Sequence, residues 1–351
     1  VLGVASAHAA APPAPGYTET VARIAPAMPA GIALDIESRA YVSFPNWDKS
    51  PPPYALARVG RDGRLQPYPS TEAARYDEVN PRSLVSVLGI RADQTGRLWV
   101  LDNARPRFEP ARPGSIKLLA FDTRTGGEVQ RFVFPPSVAD PQRAFLNDLV
   151  IDRGTGTIFI SDMSTDGRGA IVVYDPRSDR AWRALDGHPA LSAEAAAIFI
   201  ERKPVPLNGG IDGIALSADG KWLYWKALAG RGLYRISTDL LRSPETPDSS
   251  RAAAIEPLGD APVTDGMFAD AGGKLYFTSL EHSSIIVRRP NGGFETLTRD
   301  PRIVWPDSID LARNGWLYLV SNQINRMPLF NDGKDMRRPP YYLLRIWTGQ
   351  P

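Results

Sequence analysis

"RAFLNDLVIDRGTGTIFISD", residues 143–162, decides the fold. From Leu149 it reads as an apolar strand, Leu149-Val150-Ile151, then a glycine-containing turn, then a second strand around Ile158-Phe159-Ile160. β-branched and aromatic residues dominate, and their period is two rather than 3.6. Asn147 and Asp148 stand directly before the apolar run. Such residues shape the turns that precede strands. An amide and a carboxylate at the start of a buried strand are also what a binding site would need.

The same pattern recurs in five other places: "GIALDIESRAYVSF" from Gly31, "GIRADQTGRLWVLD" from Gly89, "GIALSADGKWLYWKA" from Gly213, "GMFADAGGKLYFTS" from Gly266 and "SIDLARNGWLYLVS" from Ser308. The units start at intervals of roughly 40 to 65 residues, as propeller blades with loops do. Most are followed by further short strands, such as "AIVVYDPRSDRAWRAL" and "SIIVRRPNGGFETL". Helical periodicity is confined to "STEAARYDEV" (70–79) and "LSAEAAAIFIER" (191–202). Six units of four antiparallel strands predict an all-β, six-bladed β-propeller over residues 17–351. A strand from Tyr17 to Ile24 is expected to complete the sixth blade beside the C-terminal strands, which removes the open sheet edges.

In a propeller the first strand of each blade lines the central tunnel and the second runs back. The starts of first strands and the ends of second strands therefore share one face. The residues before the first strands are Ala30, Leu88, Asn147, Asp212, Asp265 and Asp307, so four consecutive blades carry an amide or a carboxylate. The second strands end at Asp102-Asn103, Asp162, Lys226, His282 and Asn322. Convergence of these groups at one tunnel mouth is expected.

Three carboxylates beside an amide cannot all stay charged without a bound cation or a raised carboxyl pKa. An all-oxygen set, Asn147, Asp212, Asp265 and Asp307, suits Ca²⁺ or another divalent cation. Asp265, Asp212 and His282 are the candidate acid/base groups. Asn147, Asp307 and Asn322 are candidate ligand contacts, with Trp305, Phe145 and Trp225 as candidate apolar walls. His188 falls in a loop between blades and reads as structural or as part of the rim.

Composition narrows the class. The 351 residues are 43% hydrophobic and 23% charged, with a formal net charge of +2. No basic cluster with interleaved aromatics occurs, which argues against nucleic acid as a partner. No stretch approaches the ~18 apolar residues of a membrane span. Residues 1–16, "VLGVASAHAAAPPAPG", read as the tail of a signal peptide with a small-x-small site at Ala7-His8-Ala9, then an Ala/Pro spacer. Cysteine is absent, which removes thiol chemistry and disulfides and suits a bacterial periplasmic or secreted protein. A monomer with a small-molecule ligand is expected.

"LGIRADQTGRLWVLDN", "FLNDLVIDRGTGTIFISD", "DGIALSADGKWLYWKALAGRGLYRISTDLLR" and "RDPRIVWPDSIDLARNGWLYLVSNQ" resemble consecutive motifs of the yellow/major royal jelly protein family. The resemblance runs in order from Leu88 to the C-terminus. It implies a secreted six-bladed propeller, with dopachrome-type isomerisation or the binding of biogenic amines as activities. Asn322 matches the Asn of the family's last-blade "SN" motif, which helps hold the amine. A more distant resemblance, to the gluconolactonase and senescence-marker-protein group, implies a metal-dependent lactonase. In that group a Glu of the first blade holds the metal, and here Ala30 stands in its place.

Overall fold

The computed structural model describes residues 12–80, 82–195 and 197–350. Six four-stranded antiparallel sheets follow one another around a ring. Their tunnel-lining strands are Ile32–Leu34, Val87–Ala92, Leu146–Ile151, Ile211–Leu216, Thr264–Ala269 and Trp305–Leu311. The strand Thr18–Ile24 pairs with Tyr341–Trp347 as the outer edge of blade 6, so the ring closes as expected.

Each junction between neighbouring blades has its own apolar cluster. Tyr41 and Ile90 meet between blades 1 and 2, Trp99 and Leu149 between 2 and 3, and Ile214 and Phe159 between 3 and 4. Met267 and Leu233 fill the next junction, Ile285 and Ile309 the one after, and Ile32 and Leu343 the last. Burying each such side chain contributes about 1.5–3 kcal/mol, so the ring is held by many equal joints. A seventh cluster lies under a small ribbon, Phe199–Ile200 paired with Lys203–Pro204, and includes Trp305.

Two expectations need correction. Among the described residues, neither 70–79 nor 191–202 is α-helical; the first is a run of turns, and Phe199–Ile200 in the second is a strand. Among the described residues the α-helices are Thr238–Arg242 and Asp248–Ala253, both in the connection between the third and fourth strands of blade 4. Alanine-rich composition without a continuous apolar face was a weak signal. The second correction concerns the tunnel. Asn147, Asp212, Asp265 and Asp307 do not precede their strands but lie within them, where the pairing register shifts.

These shifts are β-bulges, which turn a side chain away from its regular direction. Gly213 and Gly266, which follow Asp212 and Asp265, are packed against the next blade. A Cβ on Gly213 would lie 2.4 Å from the Asp265 carbonyl oxygen, and one on Gly266 2.3 Å from that of Asp307. Glycine is required there by close backbone approach.

Candidate functional site

Four of the sequence-predicted residues do come together. Asn147, Asp212, Asp265 and Asp307, from blades 3 to 6, line one small cavity of about 10 Å³ inside the tunnel, with Asp148 and Ser308. That is space for about one water-sized group. Gly31, Leu88 and Gly89 of blades 1 and 2 complete the wall. The ring is therefore polar on one side and apolar on the other.

Each carboxylate has one neutral N–H donor. The Asn147 amide donates to Asp212 Oδ1. The Trp305 indole N–H donates to Asp265 Oδ2 at 2.6 Å, and the Asn322 amide to Asp307 Oδ2 at 2.6 Å. Asn322 also donates to the Pro29 carbonyl at 3.1 Å, which ties blade 6 to the start of blade 1. Asp212 is 2% exposed, and Asp265 and Asp307 are each 8% exposed.

Burial without a cation decides the electrostatics. Burial pushes the Asp265 carboxyl up to about 7. Asp212 and Asp307 are driven well above the ordinary carboxylate range, first by burial and then by the charges of their neighbours, Asp265 among them.

One step further along the tunnel lies a second charged layer that sequence reasoning missed. The Arg91 guanidinium of blade 2 is buried across the lumen. It stands 3.6 Å from an Asp148 oxygen of blade 3 and 3.5 Å from an Asp310 oxygen of blade 6. It donates to the carbonyls of Leu149 at 3.3 Å and Ile309 at 3.2 Å. Asp310 also accepts the Leu34 backbone N–H at 2.8 Å. Burial raises both carboxyl pKa values, and the Arg91 charge opposes that rise.

The remaining predicted groups lie elsewhere. His282 is exposed in a loop, its ring hydrogen-bonded with the Ser279 hydroxyl at 3.1 Å, and it does not line the cavity. Phe145 is buried in the cluster between blades 1 and 6 and stacks on Phe108, with centroids 6.3 Å apart. Trp225 packs in the junction of blades 3 and 4, where its N–H donates to the Ala190 carbonyl. His188 caps a short 3₁₀ turn, Pro189–Leu191, as a structural group would.

Of the second-strand ends, only Asn322 reaches the ring. Asp102 accepts the backbone N–H groups of Val85 and Ser86 and pairs with Lys117 at 2.8 Å. Asp162 accepts the Phe145 N–H and pairs with Arg183 at 2.7 Å. Lys226 donates to the Gly230 carbonyl. One strand out from the tunnel, these groups anchor loops instead of facing the lumen.

The sequence profile of the major royal jelly proteins matches residues 85–340. The chain belongs to the major royal jelly protein family. Major royal jelly protein 3 of Apis mellifera is 28% identical over 200 residues, 54% of this chain and 35% of that protein. Protein yellow of Drosophila subobscura is 25% identical over 340 residues, 87% of this chain and 56% of its own. The matches thus span well under two thirds of these relatives' length. Two solved structures share the fold. A gluconolactonase from Xanthomonas campestris has a TM-score of 0.58 at 14% identity, covering 94% of this chain and 89% of that one. A luciferin-regenerating enzyme has the same score and identity, with 95% of each chain covered. Among the described residues, no helix is long and apolar enough to cross a membrane.

Proposed function

We propose that this family member binds a small organic amine, seating its ammonium group in the ring of Asn147, Asp212, Asp265 and Asp307, with Asn322 and Trp305 as supports. One observation carries the reading. Each of the three carboxylates spends one oxygen on a neutral donor, and the other has no hydrogen-bond partner among the described residues. A primary ammonium brings three N–H donors and the missing positive charge. The cavity takes a group of about that size. The apolar cluster around Trp305, with Leu228 and Leu280, packs behind the Asp265 carboxylate.

A divalent ion fits less well. Ca²⁺ takes about 6–8 oxygen ligands, whereas the ring offers three free carboxylate oxygens and one amide carbonyl. Ala30 supplies none from blade 1, and among the described residues no three carboxylates, His or Cys are arranged as ligands of one ion. The donor set therefore lends the lactonase reading no support.

A second reading, proton-transfer isomerisation, is favoured by Asp265. A carboxyl that ionises near neutrality can both take and return a proton. Turnover of dopachrome that disappears in Asp265→Asn is the expected result, and undiminished turnover in that variant would sink this reading.

The amine reading is tested by calorimetry and thermal shift with 2-phenylethylamine, 2-phenylethanol and Ca²⁺. The amine is expected to bind and stabilise the protein, and Asp307→Asn to weaken it at least tenfold. Stabilisation by Ca²⁺ but not by the amine, or equal binding of the alcohol, overturns it. The N-terminal pattern at Ala7-His8-Ala9, which lies outside the described residues, supports export, and N-terminal sequencing of the protein from periplasm or medium checks it.

A further inference from the structure

We propose that the opposite end of the tunnel is a second binding site, for a small organic anion with an apolar body. The tunnel opens there into a cavity of about 440 Å³, within the ~300–1,000 Å³ range of small-molecule sites. It lies beyond the Arg91 layer, so it is separate from the carboxylate ring. Its apolar wall comes from the far ends of all six inner strands and includes Ile151, Leu216, Phe268 and Leu311.

Among the described residues, the charged side chains of this cavity that have no hydrogen-bond or ion-pair partner, Arg153 and Arg313, are cationic. Acidic residues line it too, but each is engaged. Asp35 is held by Arg39 at 2.6 Å and by the Tyr41 hydroxyl, and Asp93 by Arg97 and the Trp99 indole, both at 2.9 Å. Asp152 is held by Arg242 and the Thr155 hydroxyl, and Asp270 by the Tyr276 hydroxyl and the Lys274 backbone N–H. Asp310 is matched by Arg91.

The arginines are less committed. Arg91 forms the floor with its side chain 9% exposed, and its Nη2 stands 3.6 Å from Asp148, beyond hydrogen-bond reach. The Nε and Nη1 groups are taken by the Leu149 and Ile309 carbonyls, which leaves the Nη2 group at the floor of the cavity open to a further acceptor. At the rim, Arg153 and Arg313 are exposed and pair with no carboxylate among the described residues. Three guanidinium groups around an apolar wall fit a carboxylate or phosphate attached to a hydrocarbon or aromatic body.

Calorimetry with phenylacetate and its neutral amide, phenylacetamide, tests this. Phenylacetate is expected to bind, with the amide at least tenfold weaker. Leu216→Trp, which narrows the cavity at its apolar wall, should weaken binding at least tenfold. The rim pair Arg153→Ala/Arg313→Ala, exposed and safe for folding, should weaken it about tenfold. Neither change should alter the response to 2-phenylethylamine at the carboxylate ring. Equal binding of the amide, phenylacetate affinity undiminished in the rim variant, or no phenylacetate binding to the unaltered protein would each overturn the proposal.

Discussion

Asp307 and Asp310 stand three residues apart on the same inner strand, and both are buried in the tunnel. Their charges are handled in opposite ways. Asp310, with Asp148, faces a guanidinium from across the lumen. Asp307, with Asp212 and Asp265, has only neutral amide and indole donors. The lower layer has a cation of its own, shared by two carboxyl groups, and it spans three blades and braces the tunnel. The upper layer is an open one, complete only with protons or a visiting cation. Equal burial and the same residue type thus give a structural device in one layer and a candidate site in the other.

The largest expected effect comes from making the lower layer resemble the upper. Arg91→Leu leaves Asp148 and Asp310 buried without their cation. Removing one partner of a buried ion pair costs about 3–5 kcal/mol. Denaturant unfolding at neutral pH should report a loss of that size. The loss should shrink at acid pH, where the two carboxyls are protonated. A variant as stable as the parent at pH 7 would mean that Arg91 does not brace the tunnel.

A second, smaller effect concerns pH and the upper layer. The Asp265 carboxyl ionises at about 7 in the folded protein against an ordinary value of 3.8. Between these values the folded state holds a proton that the unfolded state has lost. Its contribution is therefore fully present below about pH 4 and is lost as pH rises through 7, by up to about 1.4 kcal/mol per unit. Asp265→Asn removes this term. The variant should gain stability relative to the parent as pH rises from 5 to 7, while losing the amine response. A difference between the two proteins that stays flat over this range would refute the raised ionisation.

How much of this the sequence disclosed follows from how each group is placed. The repeat, the closing strand and the ring residues Asn147, Asp212, Asp265 and Asp307 sit at one offset within a recurring pattern, so periodicity exposed them. Asn322 was legible because the second strand of its blade ends there. Arg91 and Asp310 were not, since their contacts join residues far apart in the chain and depend on which way each strand turns in the lumen. Asp148 stood in the first stretch considered, beside Asn147. The bulge separates the two: Asn147 bonds Asp212 of the next blade, and Asp148 meets Arg91 of the previous one. Phe145, Trp225 and the second-strand ends were misplaced for a related reason. The pattern shows that a residue is near a strand end but not whether it points to the lumen or to a blade junction.

The smallest effect isolates a single hydrogen bond of the upper layer. Among the described residues the Trp305 indole N–H is the one side-chain donor to Asp265, and it favours the charged form. Trp305→Phe keeps an aromatic ring in the apolar cluster but removes the donor. The Asp265 carboxyl should then hold its proton to still higher pH, and the fall of stability with pH should extend further into the alkaline range. A charge-assisted bond of this kind contributes about 1.5–3 kcal/mol to the ionised form, so the end of the fall should move up by about one to two pH units. Thermal unfolding of parent and variant from pH 5 to 9 reads this directly. If the profile moves down instead, burial does not govern the upper layer, and its distinction from the Arg91 layer fails.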